Sequence, residues 1–157
     1  MVVLDPLDRV LLFNWANHRK GTNWWATPGG GLEEGEKSRD AAIRELREEA
    51  GISVDAVEGP LWRTSHFFRA AVPAALGQRA TDLVHQHETF FLARVQSDAV
   101  STAGFDEFEA AIALGHKWWT LDELDRSTEA TYPRGLAGLV RDVLANGVPP
   151  KAVDLKG

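Results

Sequence analysis

Residues 30–52 read GGLEEGEKSRDAAIRELREEAGI, and the reading of that stretch decides the fold. It parses as a glycine-rich turn, one helix and a glycine stop. Ala42, Ile43, Leu46 and Ala50 recur at steps of three and four and form one apolar stripe. Ser38 is the expected N-cap, its hydroxyl accepting from an orphan amide of the first turn. Asp40 falls in that turn, where the positive end of the helix dipole favours a carboxylate. Gly51 supplies the left-handed residue that ends many helices, and Ile52 folds back onto the last turn.

The C-terminal end of this helix breaks a local rule. Glu45, Glu48 and Glu49 are related by steps of three and four, so they share one face beside the apolar stripe. Three carboxylates there repel one another and oppose the negative end of the dipole, each conflict costing roughly 0.2–1 kcal/mol. Arg44 and Arg47 offset that only in part. Rules broken in this way mark functional sites. Oxygen ligands clustered on a rigid element suit Mg²⁺, with Mn²⁺ as a substitute.

Gly30, five residues, Glu36, seven residues, then Arg44-Glu45-Leu46-Arg47-Glu48-Glu49-Ala50-Gly51-Ile52 resembles a complete Nudix box, with every fixed position filled. The resemblance implies an α/β/α sandwich around a mixed central sheet. It implies a hydrolase, MutT-like, that cleaves the diphosphate of a nucleoside diphosphate linked to another moiety. By that resemblance Glu45, Glu48 and Glu49 are the metal ligands and catalytic groups, and Glu36, Arg44 and Gly51 hold the loop and helix. One further carboxylate outside the box is expected, and Glu88 is the candidate, with Glu107 and Glu109 competing from an acidic loop. The general base is one of these glutamates. The alternative is a catalytically silent Nudix domain that senses a nucleotide ligand or binds a partner. An isomerase on the same fold relies on a cysteine, which this chain lacks.

Composition sets the remaining bounds. The 157 residues argue for one domain with enough apolar material for a core, residues 150–157 reading as tail. No apolar run is long enough to span a membrane, and no secretory signal is evident, so a cytoplasmic protein is expected. The absence of cysteine excludes disulfides and thiol chemistry. A net charge of −6 argues against broad electrostatic binding to nucleic acid. A small nucleotide is the expected partner, since a bound cation reverses the local field.

Strands are expected at 2–4, 9–15, 61–68 and 84–95, the first two around an Asp5-Pro6-Leu7-Asp8 turn. In the last of these, period two puts Gln86, Glu88, Phe90 and Leu92 on one face and His85, His87, Thr89 and Phe91 on the other. Both faces carry apolar residues, as in a sheet covered on both sides. His85 and His87 have no third soft ligand nearby, so the satisfied structural pair is the ordinary reading. The polar loop 17–22 carries Arg19 and Lys20, which are candidates for substrate phosphates. Gly29 and Gly30 permit close approach of main chain to a ligand. Trp24 is expected to line the pocket and Trp25 to pack in the core, with Trp118 and Trp119 as the other candidates for base stacking. Residues 69–83 form the longest expected loop, a surface for substrate contact or for a homodimer. Thr120 is expected to cap a short helix, and Pro133 to open a last helix whose stripe is Leu136, Leu139, Val140, Val143 and Leu144.

Overall fold

The computed structural model of the chain describes residues 1–18, 20–69 and 83–155. Arg19, most of the loop at 69–83 and the last two residues lie outside the described residues. The elements run β1 (Val2–Leu4), β2 (Val10–Asn17), β3 (Thr22–Ala26), α1 (Ser38–Ala50), β4 (Glu58–Arg69) and β5 (Leu83–Arg94). They continue with α2 (Glu107–Ile112), β6 (Ala113–Trp119), α3 (Leu121–Arg126), β7 (Thr131–Tyr132), α4 (Leu136–Asn146) and β8 (Val153–Asp154).

β2 organises the sheet because its side chains feed both cores. Val10 and Leu12 belong to one apolar cluster, and Leu11, Phe13 and Trp15 to the other. The first cluster takes Leu124 of α3 and Leu136, Val140 and Val143 of α4. The second takes Leu46 and Ala50 of α1, with Ile112 of α2 at its margin. The result is a mixed sheet between helical layers, the α/β/α sandwich. β5 divides as its period demands, with Phe90 and Leu92 in the α3–α4 core and Phe91 in the α1 core. Among the described residues no helix is long and apolar enough to cross a membrane.

Strand pairing forks the sheet. Val10 is paired with Leu4 of β1 and with Trp119 of β6, while Phe13 is paired with Ala26 of β3 and with His116 of β6. β1 and β3 therefore share one edge of β2, one following the other along it. From β1 the sheet continues through a parallel pairing to β5 and on to β4 and β8; from β3 it continues to β7. β1 is only three residues long and meets β5 at 92–94, so β5 runs past it as one arm of the fork. Tyr132 of β7 reaches across from the other arm: its hydroxyl donates to the Glu88 carboxylate and lies 2.9 Å from the Thr64 hydroxyl.

Several local expectations are revised. Ser38 is the first helical residue, and Lys37 precedes it without any side-chain cap. The loop before α1 is pinned instead by Arg44, whose guanidinium bonds Glu36 at 2.9–3.0 Å and the Gly31 carbonyl at 2.8 Å. The acidic loop after residue 105 contains helix α2, closed by a reciprocal capping box between Asp106 and Glu109. The last helix starts at Leu136 behind Gly135, not at Pro133. The expected tail pairs with β4, Trp62 opposite Val153, and Leu155 packs against the core. Gly51 ends α1 as read, at φ 66°, where left-handed backbone suits a residue without Cβ.

Candidate active site

Helix α1 lies with its C-terminal half toward the fork. Glu45 and Glu49, one turn apart, are only 8% and 3% exposed. The glycine loop closes over them. The Gly29 amide donates to Glu49 Oε2 at 2.8 Å, and a Cβ at Gly30 would stand 2.5 Å from the Glu45 carboxylate. Any side chain at position 30 would displace that carboxylate. The chain following β5 then wraps the helix end. The Ser101 amide donates to the Ala50 carbonyl at 2.8 Å, and Gly104 packs on the backbone of Glu48. That wrap delivers α2, and with it Glu109. Carboxylate oxygens of Glu45, Glu49 and Glu109 all lie within 4.8 Å of one another.

These groups stand in a cleft of about 850 Å³ lined by the glycine loop, α1, α2 and β5. Burial pushes the Glu49 carboxyl up to about 8; Glu109 and Glu45 push the same way, and the Gly29 amide pulls back. Burial also raises Glu45, partly offset by its 2.8 Å bond to Arg44. Glu36, on the other side of Arg44, is held down at about 2 by that guanidinium and by the Glu33 amide. The pattern separates two kinds of carboxylate. Glu36 is neutralised by its partner and holds the loop, whereas burial is the larger influence on Glu45 and Glu49. Three converging carboxylates, two of them raised by burial, fit a hard divalent cation.

Not every expected site residue arrives there. Glu48 leaves the cluster: its carboxylate bonds Arg44 at 3.0 Å and its side chain is 43% exposed. A step of three along α1 turns it onto the flank. Glu88 lines the cleft but stands apart from the three carboxylates, because alternation along β5 points it to the face away from α1. Both its oxygens are engaged, Oε2 by the hydroxyls of Tyr132 and Thr64 and Oε1 by the Gln86 amide. The same bond and burial raise Tyr132 to about 12, burial being the larger cause. Lys20 lies exposed in a turn and does not line the cleft. Trp24, Gly29 and Gly30 do line it.

Of the other tryptophans, Trp118 and Trp119 point elsewhere. Trp118 donates its indole N–H to the Asp98 carbonyl at 2.9 Å, and Trp119 is buried edge-on to Trp25. Trp25 packs on the α3–α4 core with its indole N–H on Glu129. Trp15, Phe108 and Tyr132 line the cleft without having been singled out from the sequence. The Asp106-x-x-Glu109 spacing is a helix-start signal that would have placed Glu109 on an element.

The forked mixed sheet, the carboxylate-bearing helix and the glycine loop over its acids agree with the sandwich and the motif read from the sequence. The chain belongs to the Nudix family: the NUDIX domain model matches residues 1–141. It is 30% identical over 159 residues to the RNA pyrophosphohydrolase of Teredinibacter turnerae, covering 95% of this chain and 88% of that protein. Among solved structures, the fold matches a Caenorhabditis elegans Ap4A hydrolase binary complex (TM-score 0.58, 20% identity, 92% of each chain). It also matches the NUDIX domain of Shewanella oneidensis NrtR complexed with ADP ribose (TM-score 0.60, 19% identity, 91% and 84% of the two chains). The chain is accordingly a Nudix pyrophosphohydrolase.

Proposed function

We propose that this protein hydrolyses, with Mg²⁺ or Mn²⁺, the diphosphate bond of a nucleotide substrate, and that Glu45, Glu49 and Glu109 hold the cation. The observation that carries this is the convergence of those carboxylates, two of them buried and raised by that burial, beneath a glycine loop in an open cleft. A cation there supplies charge stabilisation to the phosphoanhydride oxygens and lowers the pKa of a bound water. The chain's own residues do the rest. The loop at 29–31 brings main chain close to the phosphates, since no side chain intervenes. Trp24 offers a ring for the base, a stacking interaction worth ~1–3 kcal/mol. Arg44 orients Glu45 and Glu48 and keeps the loop in place. The proton of the attacking water passes to a carboxylate of the cluster. Glu88 would have to give up hydrogen bonds on either oxygen to take it, so it positions the arm of the fork instead.

One second reading has a specific observation behind it. The near full-length likeness to an RNA pyrophosphohydrolase favours the 5′-polyphosphate end of an RNA over a free nucleotide. In that reading the chain engages the end of the strand, and its net negative charge keeps the rest at a distance. Incubating the protein with Mg²⁺ and a panel of ATP, ADP-ribose, diadenosine tetraphosphate and 5′-triphosphorylated oligoribonucleotide, with both products identified, tests the two together. Chelator-sensitive release of phosphate or nucleotide from at least one member is expected. No turnover of any, or turnover that survives excess chelator, contradicts the proposal.

A further inference from the structure

We propose that Phe67, His85 and His87, at the open end of the β4–β5 arm, form a second base-binding subsite for substrates that carry two nucleobases. The proposal rests on the nucleotide reading above and extends it. Strand register sets Phe67 opposite His85 and Ser65 opposite His87, so all four share one face. Phe91, further along β5 on that face, is in the core with Leu46 and Ala50 of α1. The three rings thus sit on the α1 side of the sheet, where the carboxylates are.

Two of the three rings are already stacked. The Phe67 ring lies stacked 4.1 Å from that of His85 at 12°, and the His87 ring lies 4.1 Å from His85, tilted by 52°. A 2.6 Å hydrogen bond between Ser65 Oγ and His85 Nε2 holds the central ring. Phe67 is nevertheless 62% exposed. A single exposed phenylalanine needs no explanation. This one is continuous with a ligand cleft, because His85 and His87 line the same cleft as Glu45 and Glu49.

The fork supplies the second argument. Trp24, paired with Trp15 across β2–β3, lines the cleft from one arm, and His85 and His87 line it from the other, with Phe67 stacked on His85. The glycine loop and the α1 carboxylates lie in the same cleft. A substrate with one base occupies one aromatic wall and leaves the other idle. A substrate with two bases occupies both, and planar bases stack on rings without demanding a particular sequence. Two chemistries present a second base: a dinucleoside polyphosphate, with a base at each end of the phosphates, and the 5′ end of an RNA, with its second base one nucleotide inward.

Calorimetric titration with hydrolysis-resistant, methylene-bridged analogues of ATP, diadenosine tetraphosphate and 5′-triphosphorylated ApG, in Mg²⁺, tests this without requiring turnover. Phe67→Ala is expected to weaken at least one two-base ligand ~10-fold, leave the ATP analogue unchanged and leave the melting temperature within ~1 °C. Phe67→Trp restores the affinity. Whichever two-base ligand responds identifies the source of the second base. Equal weakening of one-base and two-base ligands, or no change for any, overturns the proposal. So does a wild type that binds neither two-base ligand more tightly than the ATP analogue. Turnover on the substrate panel is scored separately: activity without this discrimination removes the second subsite alone, and discrimination without activity removes the hydrolase reading alone.

Discussion

Replacing Glu49 by glutamine should remove turnover while making the protein without cation more stable in mild alkali. Glu49 is 3% exposed, and burial together with Glu109 and Glu45 lifts its carboxyl from 4.5 to about 8. A carboxyl raised in the folded state binds more protons there than in the unfolded chain. Stability is therefore fully present below the unfolded value and is lost as pH rises toward 8. At ~1.36 kcal/mol per unit the ceiling on that loss is about 5 kcal/mol. Part of it is shared with Glu45, so a gain of about 1–3 kcal/mol is expected for Glu49→Gln at pH 8. For a domain of this size each kcal/mol moves the melting temperature by ~2–4 °C. Thermal melts of both proteins in chelator, at pH 4.5 and pH 8, read this directly. The variant should melt ~3–10 °C higher at pH 8 and level with the wild type at pH 4.5. Adding Mg²⁺ should close the gap by stabilising the wild type alone, by ~2.7 kcal/mol at a hundred times the dissociation constant. A gap independent of pH, or a variant less stable at pH 8, would refute the reasoning about this carboxylate.

Three further substitutions separate the loop and the cleft wall from the core. Gly30→Ala should lower kcat at least tenfold with the fold intact, since its Cβ would stand 2.5 Å from the Glu45 carboxylate; steady-state kinetics and a melt check it, and wild-type kcat would show that the loop does not set the carboxylate. Trp24→Ala should raise KM several-fold at nearly constant kcat, while Trp119→Ala, 5% exposed in the core, should destabilise by ~3–5 kcal/mol in a denaturant titration.

How much of this was legible in the sequence follows the range of the forces involved. The helix at 38–50, its glycine stop and the division of β5 between two cores are fixed by periodicity and by single backbone conformations, both local. The carboxylate cluster was half legible. Glu45 and Glu49 follow from one turn of helix, but Glu48 depends on where the Arg44 guanidinium settles, and Glu109 arrives only because the chain wraps the end of α1. In one dimension Glu88 was the candidate for that place, with Glu107 and Glu109 as its competitors. Alternation on β5 turns it the other way, into the hydroxyls of Tyr132 and Thr64, residues 44 and 24 positions distant. The fork itself was not legible, because it arises from β1 and β3 sharing one edge of β2, a matter of pairing between segments. β7 and β8 were missed for a related reason: two-residue strands carry no period and exist only through their partners.

In the proposed site Glu109, with Glu45 and Glu49, holds the catalytic cation, and Glu88 does not. Titrating Mn²⁺ into the wild type, Glu109→Gln and Glu88→Gln, with free Mn²⁺ read by its paramagnetic resonance signal, tests it most directly. Glu109→Gln is expected to weaken Mn²⁺ binding at least tenfold, and Glu88→Gln to bind as the wild type does. Wild-type affinity in Glu109→Gln, with loss in Glu88→Gln, would contradict it.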